Sequence, residues 1–302
     1  MILIKEFGLE SIYAFKNISF NEDLKKHLHT KMGGKADYYI EPFTYLELQD
    51  IINIFKHDKI PIIVIGSGAN LIVRDGGVRG LVISLKNFNN IKVNGDEILA
   101  GSGTSLIKTT YIALQHNLTG FEFASGIPGT IGGAVFMNAG AYGGEIKDVL
   151  ESVIVLDKNL NIIQRKAEDL NIGYRYTNIE ENGDIILEAK FKLSKGKHDE
   201  IKAKMDELSI SRQSKQPLDY PSCGSVFKRP PGMFAGKLIQ DCGLQGFRIG
   251  GAEVSRKHAN FILNVDNATS TDYLAVMNHV QNTVLEKFGV WLEPEVKIIG
   301  ED

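Results

Sequence analysis

Cysteine is nearly missing from this 302-residue chain, which carries only Cys223 and Cys242. The two form no Cys-x-x-Cys spacing, which argues against a zinc ribbon or a disulfide scaffold and suits a reducing compartment. No apolar run approaches the ~20 residues needed to cross a bilayer, so no membrane partner is expected. Met1–Glu10 holds Lys5 and Glu6 where a secretion signal would place its apolar core, and a cytoplasmic location is expected. An excess of positive charge is also absent: 34 Lys and Arg against 37 Asp and Glu give a net charge of -3. Duplex binding draws most of its affinity from phosphate contacts, so nucleic acid is not an expected partner and any anion site must be local. The seven histidines are scattered, and His27 and His29 sit among charges as a solvated surface, so no metal site is expected.

What is present reads as an ordinary globular protein, with 43% hydrophobic and 24% charged residues. The length suggests about two domains. Thr44-x-x-Glu47 reads as a capping box, and Leu48, Ile51, Ile52 and Phe55 follow at helical spacing, which predicts a helix over 44–57. Ile62–Ile65 is a short β-branched run entering Gly66-Ser67-Gly68-Ala69-Asn70 and reads as a buried strand. Further strands are expected at Leu81–Leu85, Ser152–Leu156, Ile162–Arg165, Ile185–Leu193 and Val296–Ile299. Helices are expected over 104–116, capped by Thr104 or Ser105, over 198–214, and over 272–288, capped by Ser270 or Thr271 with Gly289 beyond its end. The mixture is α+β or α/β. Pro217, Pro221, Pro230 and Pro231 cluster in 213–232 and suggest a domain boundary nearby.

Residues 120–144 contain eight glycines, where average usage near 7% would give about two. Glycine lets backbone N–H groups approach a ligand and adopt positive φ, so such a stretch can cradle a pyrophosphate without a dedicated cation. Spacing alone supports that reading and a set of tight turns equally. Gly66-Ser67-Gly68 and Gly101-Ser102-Gly103 each begin like a Rossmann fingerprint, but Leu71 and Leu106 stand where the third glycine belongs. A P-loop is absent too, since Gly236-Lys237 is followed by leucine.

Several motifs then occur together: Gly66-Ser67-Gly68-Ala69-Asn70-Leu71, Gly126-Ile127-Pro128-Gly129-Thr130-Ile131-Gly132-Gly133, Asn138-Ala139-Gly140-Ala141-Tyr142-Gly143, Gly173-Tyr174-Arg175-Tyr176, Cys223-Gly224-Ser225-Val226-Phe227-Lys228 and Leu292-Glu293-Pro294-Glu295-Val296-Lys297. In this order, over roughly residues 30–300, the set resembles the UDP-N-acetylenolpyruvoylglucosamine reductase family. The resemblance implies an α+β chain: a two-subdomain FAD-binding fold of the vanillyl-alcohol oxidase type plus a C-terminal α+β substrate domain. The implied lobes are 1–86, closed by 292–302, then 87–211 and 212–291. Only 50 positions separate Arg175 from Ser225, which resembles the shorter form of the family without an extra tyrosine loop. Many oxidases of this fold hold flavin through a histidine near the glycine turn. None lies between His57 and His116, so FAD is expected to bind noncovalently, with NADPH as reductant.

The resemblance implies reduction of the enolpyruvyl ether of a UDP-sugar in peptidoglycan synthesis. Ser225 is the implied proton donor, and Arg175 offers a permanently charged fork to the substrate carboxylate. Glu295 is the implied second acid; Glu293 lies two residues earlier on the same face of any strand, and spacing alone does not choose between them. Flavin contacts are expected from Ser67, Gly68, Ala69, Asn70, Gly126, Gly129, Thr130, Gly132, Gly133, Asn138 and Gly140. Residues 212–237 carry a local balance of +4, suited to a UDP diphosphate, with Lys215, Lys228 and Arg229 the strongest candidates. His258 is a further candidate for the sugar nucleotide, with a structural histidine as its alternative. Two rival readings are an FAD-dependent sugar or alcohol oxidase of the same fold and a non-catalytic nucleotide-sugar binding protein.

Overall fold

The computed structural model describes residue 15 and residues 17–302, so the expectation for Met1–Glu10 lies outside it. Helices α1 (Tyr45–His57), α2 (Leu106–Gln115), α3 (Ile131–Phe136), α4 (Ile179–Asn182), α5 (His198–Lys215), α6 (Ala235–Asp241) and α7 (Ser270–Phe288) alternate with short strands. No helix among the described residues is long and apolar enough to cross a membrane. The chain forms two compact units. One holds Tyr38–Ser67 and Gly80–Ser211 with the described residues up to Ser19; the other holds Phe20–Asp37, Gly68–Arg79 and Arg212–Asp302.

In the first unit α1 starts where the Thr44 hydroxyl accepts from the Glu47 amide at 3.1 Å. The Glu47 carboxylate reaches back one residue further than a capping box requires and accepts from the Phe43 amide. Leu48, Ile51, Ile52 and Phe55 are buried as their spacing predicts, each worth roughly 1.5–3 kcal/mol of transfer free energy. Ile62–Ile65 pairs in parallel with Val78–Ser84, Ile62 facing Leu81 and Ile65 facing Ser84. The expectation of a buried strand is corrected: only Ile65 is buried and Val64 is 36% exposed. Ile62–Ile65 is the edge strand of its four-stranded sheet, so neighbours cover it on one flank only. A second sheet of five antiparallel strands runs in the order Ile162–Lys166, Leu150–Leu156, Ile185–Lys192, Glu97–Gly101, Ile91–Asn94. Its buried residues form a core with Leu106 of α2 and with Ile131 and Val135 of α3; the Phe121 and Phe191 rings meet there at 4.9 Å.

The second unit packs α6 and α7 on the three-stranded antiparallel sheet Arg248–Ile249, Ala252–Val254, Ile262–Asn264. Tyr273, Val276, Val280 and Val284 recur down one face of α7 and are at most 1% exposed. The cap of α7 is Thr269, one residue before the expected Ser270, with Asp272 completing a capping box. Ser270 and Thr271 instead give their amides to Asp75, at 2.9 and 2.8 Å. Burial opposes ionisation of Asp75, but the Thr271 hydroxyl and these two amides outweigh it and hold the carboxyl below its ordinary value. Lys297–Ile299 closes this unit by pairing in parallel with Leu71–Val73.

Candidate active site

Three loops of the first unit converge on α3. The Thr104 carbonyl accepts from the Ile131 amide and the Ser102 carbonyl from the Gly132 amide, both at 2.8 Å, and the Gly129 carbonyl accepts from the Leu106 amide at 3.0 Å. The turn after Ile62–Ile65 comes in against Thr130, so close that a Cβ on Gly66 would lie 2.6 Å from its hydroxyl oxygen. A side chain at residue 66 would therefore press on the Thr130 hydroxyl. Thr130 caps α3 by accepting from the Gly133 amide at 3.3 Å.

The hydroxyl oxygens of Ser67, Ser102 and Thr104 are buried there without a hydrogen-bond partner in the protein. A buried hydroxyl left unpaired costs ~1–3 kcal/mol, so several in one region mark a place where an oxygen-rich ligand supplies the acceptors. These residues fit the diphosphate of a dinucleotide. Sequence reasoning named Ser67 and Thr130 but passed over Ser102 and Thr104. The available signal was Gly101-Ser102-Gly103, tested only against the Rossmann pattern.

Of the other expected flavin residues, Gly126 follows the short turn Glu122–Ala124, and Gly140 opens a hairpin in which it faces Glu145. Gly68, Ala69 and Asn70 belong to the second unit, where the Asn70 amide donates to the Glu295 carbonyl at 3.0 Å and its own carbonyl accepts from the Lys297 amide. Asn138 is fully buried, and its side chain is engaged by Glu145, Gly173 and Lys147.

Arg175 stands in a tight turn of the first unit, closed by hydrogen bonds in both directions between Gly173 and Tyr176. Its φ is +55°, a left-handed conformation that costs of order 1 kcal/mol for a side chain of this kind and persists only where the surroundings hold it. The holding contacts run through the guanidinium: Nη2 donates to the Gly140 carbonyl at 2.8 Å and Nη1 to the Asn138 carbonyl at 3.3 Å. Its Cζ lies 5.0 Å from the centre of the Tyr174 ring.

Ser225 and Glu295 belong to the second unit, on two segments that pair. The Glu295 amide donates to the Val226 carbonyl at 2.8 Å, the Lys228 amide donates to the Glu293 carbonyl, and Phe227 faces Pro294. Asn260 clasps the serine segment from its other flank, accepting from the Phe227 amide at 3.1 Å and donating to the Phe227 carbonyl at 2.9 Å. Gly224, at φ +77°, makes the bend that delivers Ser225. Ahead of it, Cys223 is anchored in the core with its Sγ 2.9 Å from the Tyr273 hydroxyl of α7. Burial pushes the Cys223 thiol up to about 12 and the Tyr273 hydroxyl well above its usual range, so both stay neutral. The Glu293 carboxylate pairs with Lys228 at 2.5 Å.

That pairing also bears on the basic stretch. Lys228 is matched by Glu293, Lys237 by Asp241, and the Arg229 guanidinium lies 4.7 Å over the Phe234 ring. Lys215 is exposed in the last turn of α5. His258 is half-buried with its ring edge against Phe261 at 4.9 Å; its Nδ1 lacks a protein partner, and burial lowers its pKa.

The chain is similar to known proteins. Residues 36–163 match the family model described as an FAD binding domain, and residues 216–299 match that of the UDP-N-acetylenolpyruvoylglucosamine reductase C-terminal domain. A UDP-N-acetylenolpyruvoylglucosamine reductase of Oceanobacillus iheyensis is 55% identical over 97% of this chain and 96% of its own length. One of Staphylococcus epidermidis is 51% identical over the same shares. The crystal structure of UDP-N-acetylenolpyruvylglucosamine reductase from Thermus caldophilus superposes with a TM-score of 0.80 at 33% identity, covering 92% of this chain and 97% of that one. With more than half of its residues identical over nearly its whole length, the chain belongs to the UDP-N-acetylenolpyruvoylglucosamine reductase family.

Proposed function

We propose that this chain reduces the enolpyruvyl group of UDP-N-acetylglucosamine enolpyruvate to the lactyl ether of UDP-N-acetylmuramate, a step of peptidoglycan synthesis in the cytoplasm. NADPH is the reductant, and FAD bound to the chain would supply transfer of the hydride taken from NADPH to the terminal vinyl carbon of the substrate. The buried hydroxyls of Ser67, Ser102 and Thr104 would hold the diphosphate of FAD, with the backbone of Gly129, Thr130, Gly132 and Gly133 beside them.

Once the vinyl carbon is reduced, negative charge develops on its neighbour and spreads into the carboxylate. Arg175 would meet that charge with a fork fixed before the substrate arrives, so no reorganisation is needed when the charge appears. Ser225 would deliver the proton to the carbon and recover one from water. Glu295 would hydrogen-bond the enolate-like oxygen in its protonated form. Lys215, Lys228, Arg229 and His258 are the proposed contacts of the sugar nucleotide. Three lobes, 1–86 closed by 292–302, 87–211 and 212–291, would organise these groups; the parallel pairing of Lys297–Ile299 with Leu71–Val73 supports that closure.

The observation that carries the reading is the bond from the Glu295 amide to the Val226 carbonyl, which sets a hydroxyl and a carboxyl on adjoining backbone. Ser225→Ala tests it. The variant should take up electrons from NADPH as the parent does and lose about 10²- to 10⁴-fold in reduction of the sugar, the usual contribution of a general acid. Sugar reduction at the parent rate in stopped flow would remove Ser225 from the mechanism.

A further inference from the structure

We propose that Asn138 is a positioning residue that acts on substrate reduction through Arg175 by fixing the turn that carries it. The inference rests on the reading above, in which Arg175 receives the substrate carboxylate.

The Asn138 side chain is fully buried, and both amide hydrogens are given away, one to the Glu145 carboxylate at 3.0 Å and one to the Gly173 carbonyl at 2.8 Å. Its Oδ1 accepts from the Lys147 amide at 3.0 Å, and its own backbone carbonyl accepts from Arg175 Nη1 at 3.3 Å. One residue thus grips the turn at two points, at its base through Gly173 and at its tip through the guanidinium. The same residue anchors that grip to the segment Glu145–Lys147, where Glu145 is itself held by Lys147 at 2.8 Å.

The chemistry calls for an amide of this length. Asn138 sits at φ +41°, a conformation that asparagine and aspartate tolerate better than most side chains. Aspartate could occupy the same space but has no hydrogen to give, and would set a second carboxylate against Glu145. With both Nδ2 hydrogens committed, the amide has no donor left for a flavin. Loss of the grip should therefore reach catalysis through the guanidinium and leave cofactor binding alone.

The experiment uses the holoenzyme, with Asn138→Ala and Asn138→Asp each made in the parent and in an Arg175→Lys background. Four quantities are read: FAD affinity, the rate of flavin reduction by NADPH, the rate of sugar reduction, and hydrogen exchange of a peptide covering 171–177. In the parent background either variant should slow sugar reduction by about tenfold to a hundredfold, the size expected for losing one hydrogen bond to a charged group, Glu145, and one to the neutral Gly173 carbonyl. In the Arg175→Lys background the same change should cost under about threefold, because coupled residues are not additive. Exchange of 171–177 should accelerate in both variants while FAD affinity and flavin reduction hold. Adding Glu145→Gln to Asn138→Asp should recover part of the lost rate, since the new amide can donate to the new carboxylate. Equal losses in both backgrounds, unchanged exchange of 171–177, or weakened FAD binding would each overturn the proposal. Should Arg175→Lys reduce the sugar as fast as the parent, the reading of Arg175 fails, and with it any route from Asn138 to catalysis. Faster exchange of 171–177 would then show a grip that serves the fold alone.

Discussion

Replacing Arg175 by lysine keeps one positive charge and removes the fork. A guanidinium carries its donors in a fixed plane, so Nη1 and Nη2 reach the Asn138 and Gly140 carbonyls at once. A lysine ammonium is a single rotatable nitrogen. It cannot span both carbonyls and present a planar face to a carboxylate in the same pose. A hydrogen bond to a charged group is worth about 1.5–3 kcal/mol. If one such bond is lost where charge accumulates, at ~1.4 kcal/mol per decade, sugar reduction should slow by roughly tenfold to a hundredfold. The assay is a single turnover: enzyme reduced with NADPH under anaerobic conditions is mixed with the enolpyruvyl sugar nucleotide, and flavin absorbance is followed. Flavin reduction by NADPH should be unaffected, because the proposed role of Arg175 begins with the substrate. A parent-like second half-reaction in Arg175→Lys would refute the reasoning, since preserved charge alone would then suffice.

Two further predictions concern the second unit. Cys223 is buried, with its thiol pushed up to about 12, so iodoacetamide at pH 8 should label the half-buried Cys242 first, and mass spectrometry should find Cys223 labelled only after denaturation. Comparable labelling of both thiols in the native protein would contradict the anchoring of Cys223 on Tyr273. Asp75 has a folded pKa depressed below 3.8, so its stabilisation of α7 is fully present above that value and is lost as pH falls through the folded pKa. The gap in Tm between the parent and Asp75→Ala should therefore be constant near neutral pH and close in acid below 3.8; a gap independent of pH would show that the carboxylate is not the source.

How far the sequence spoke depended on the range over which each feature is decided. The helix α1 and the strand Leu150–Leu156 were legible because periodicity and capping are local. The exposure of Val64 was not, because strand order within the sheet is set by distant segments. The cap of α7 slipped by one residue because Asp75, 195 positions away, supplies acceptors that no local pattern announces. The glycine-rich loops could be seen but not interpreted from spacing alone. In the function proposed above their meaning would come from the buried hydroxyls of Ser67, Ser102 and Thr104 near the start of α3, an arrangement that no spacing rule encodes. Glu293 and Glu295 are indistinguishable by spacing, and the pairing of Glu293 with Lys228 is a contact between segments that no local pattern announces.

The most direct test adds NADPH to the FAD-loaded protein without oxygen and then adds UDP-N-acetylglucosamine enolpyruvate. Flavin absorbance should bleach on the first addition and return on the second, with one lactyl ether formed per flavin reoxidised. A flavin that ignores NADPH, or that stays bleached in the presence of the enolpyruvyl sugar, would contradict the account.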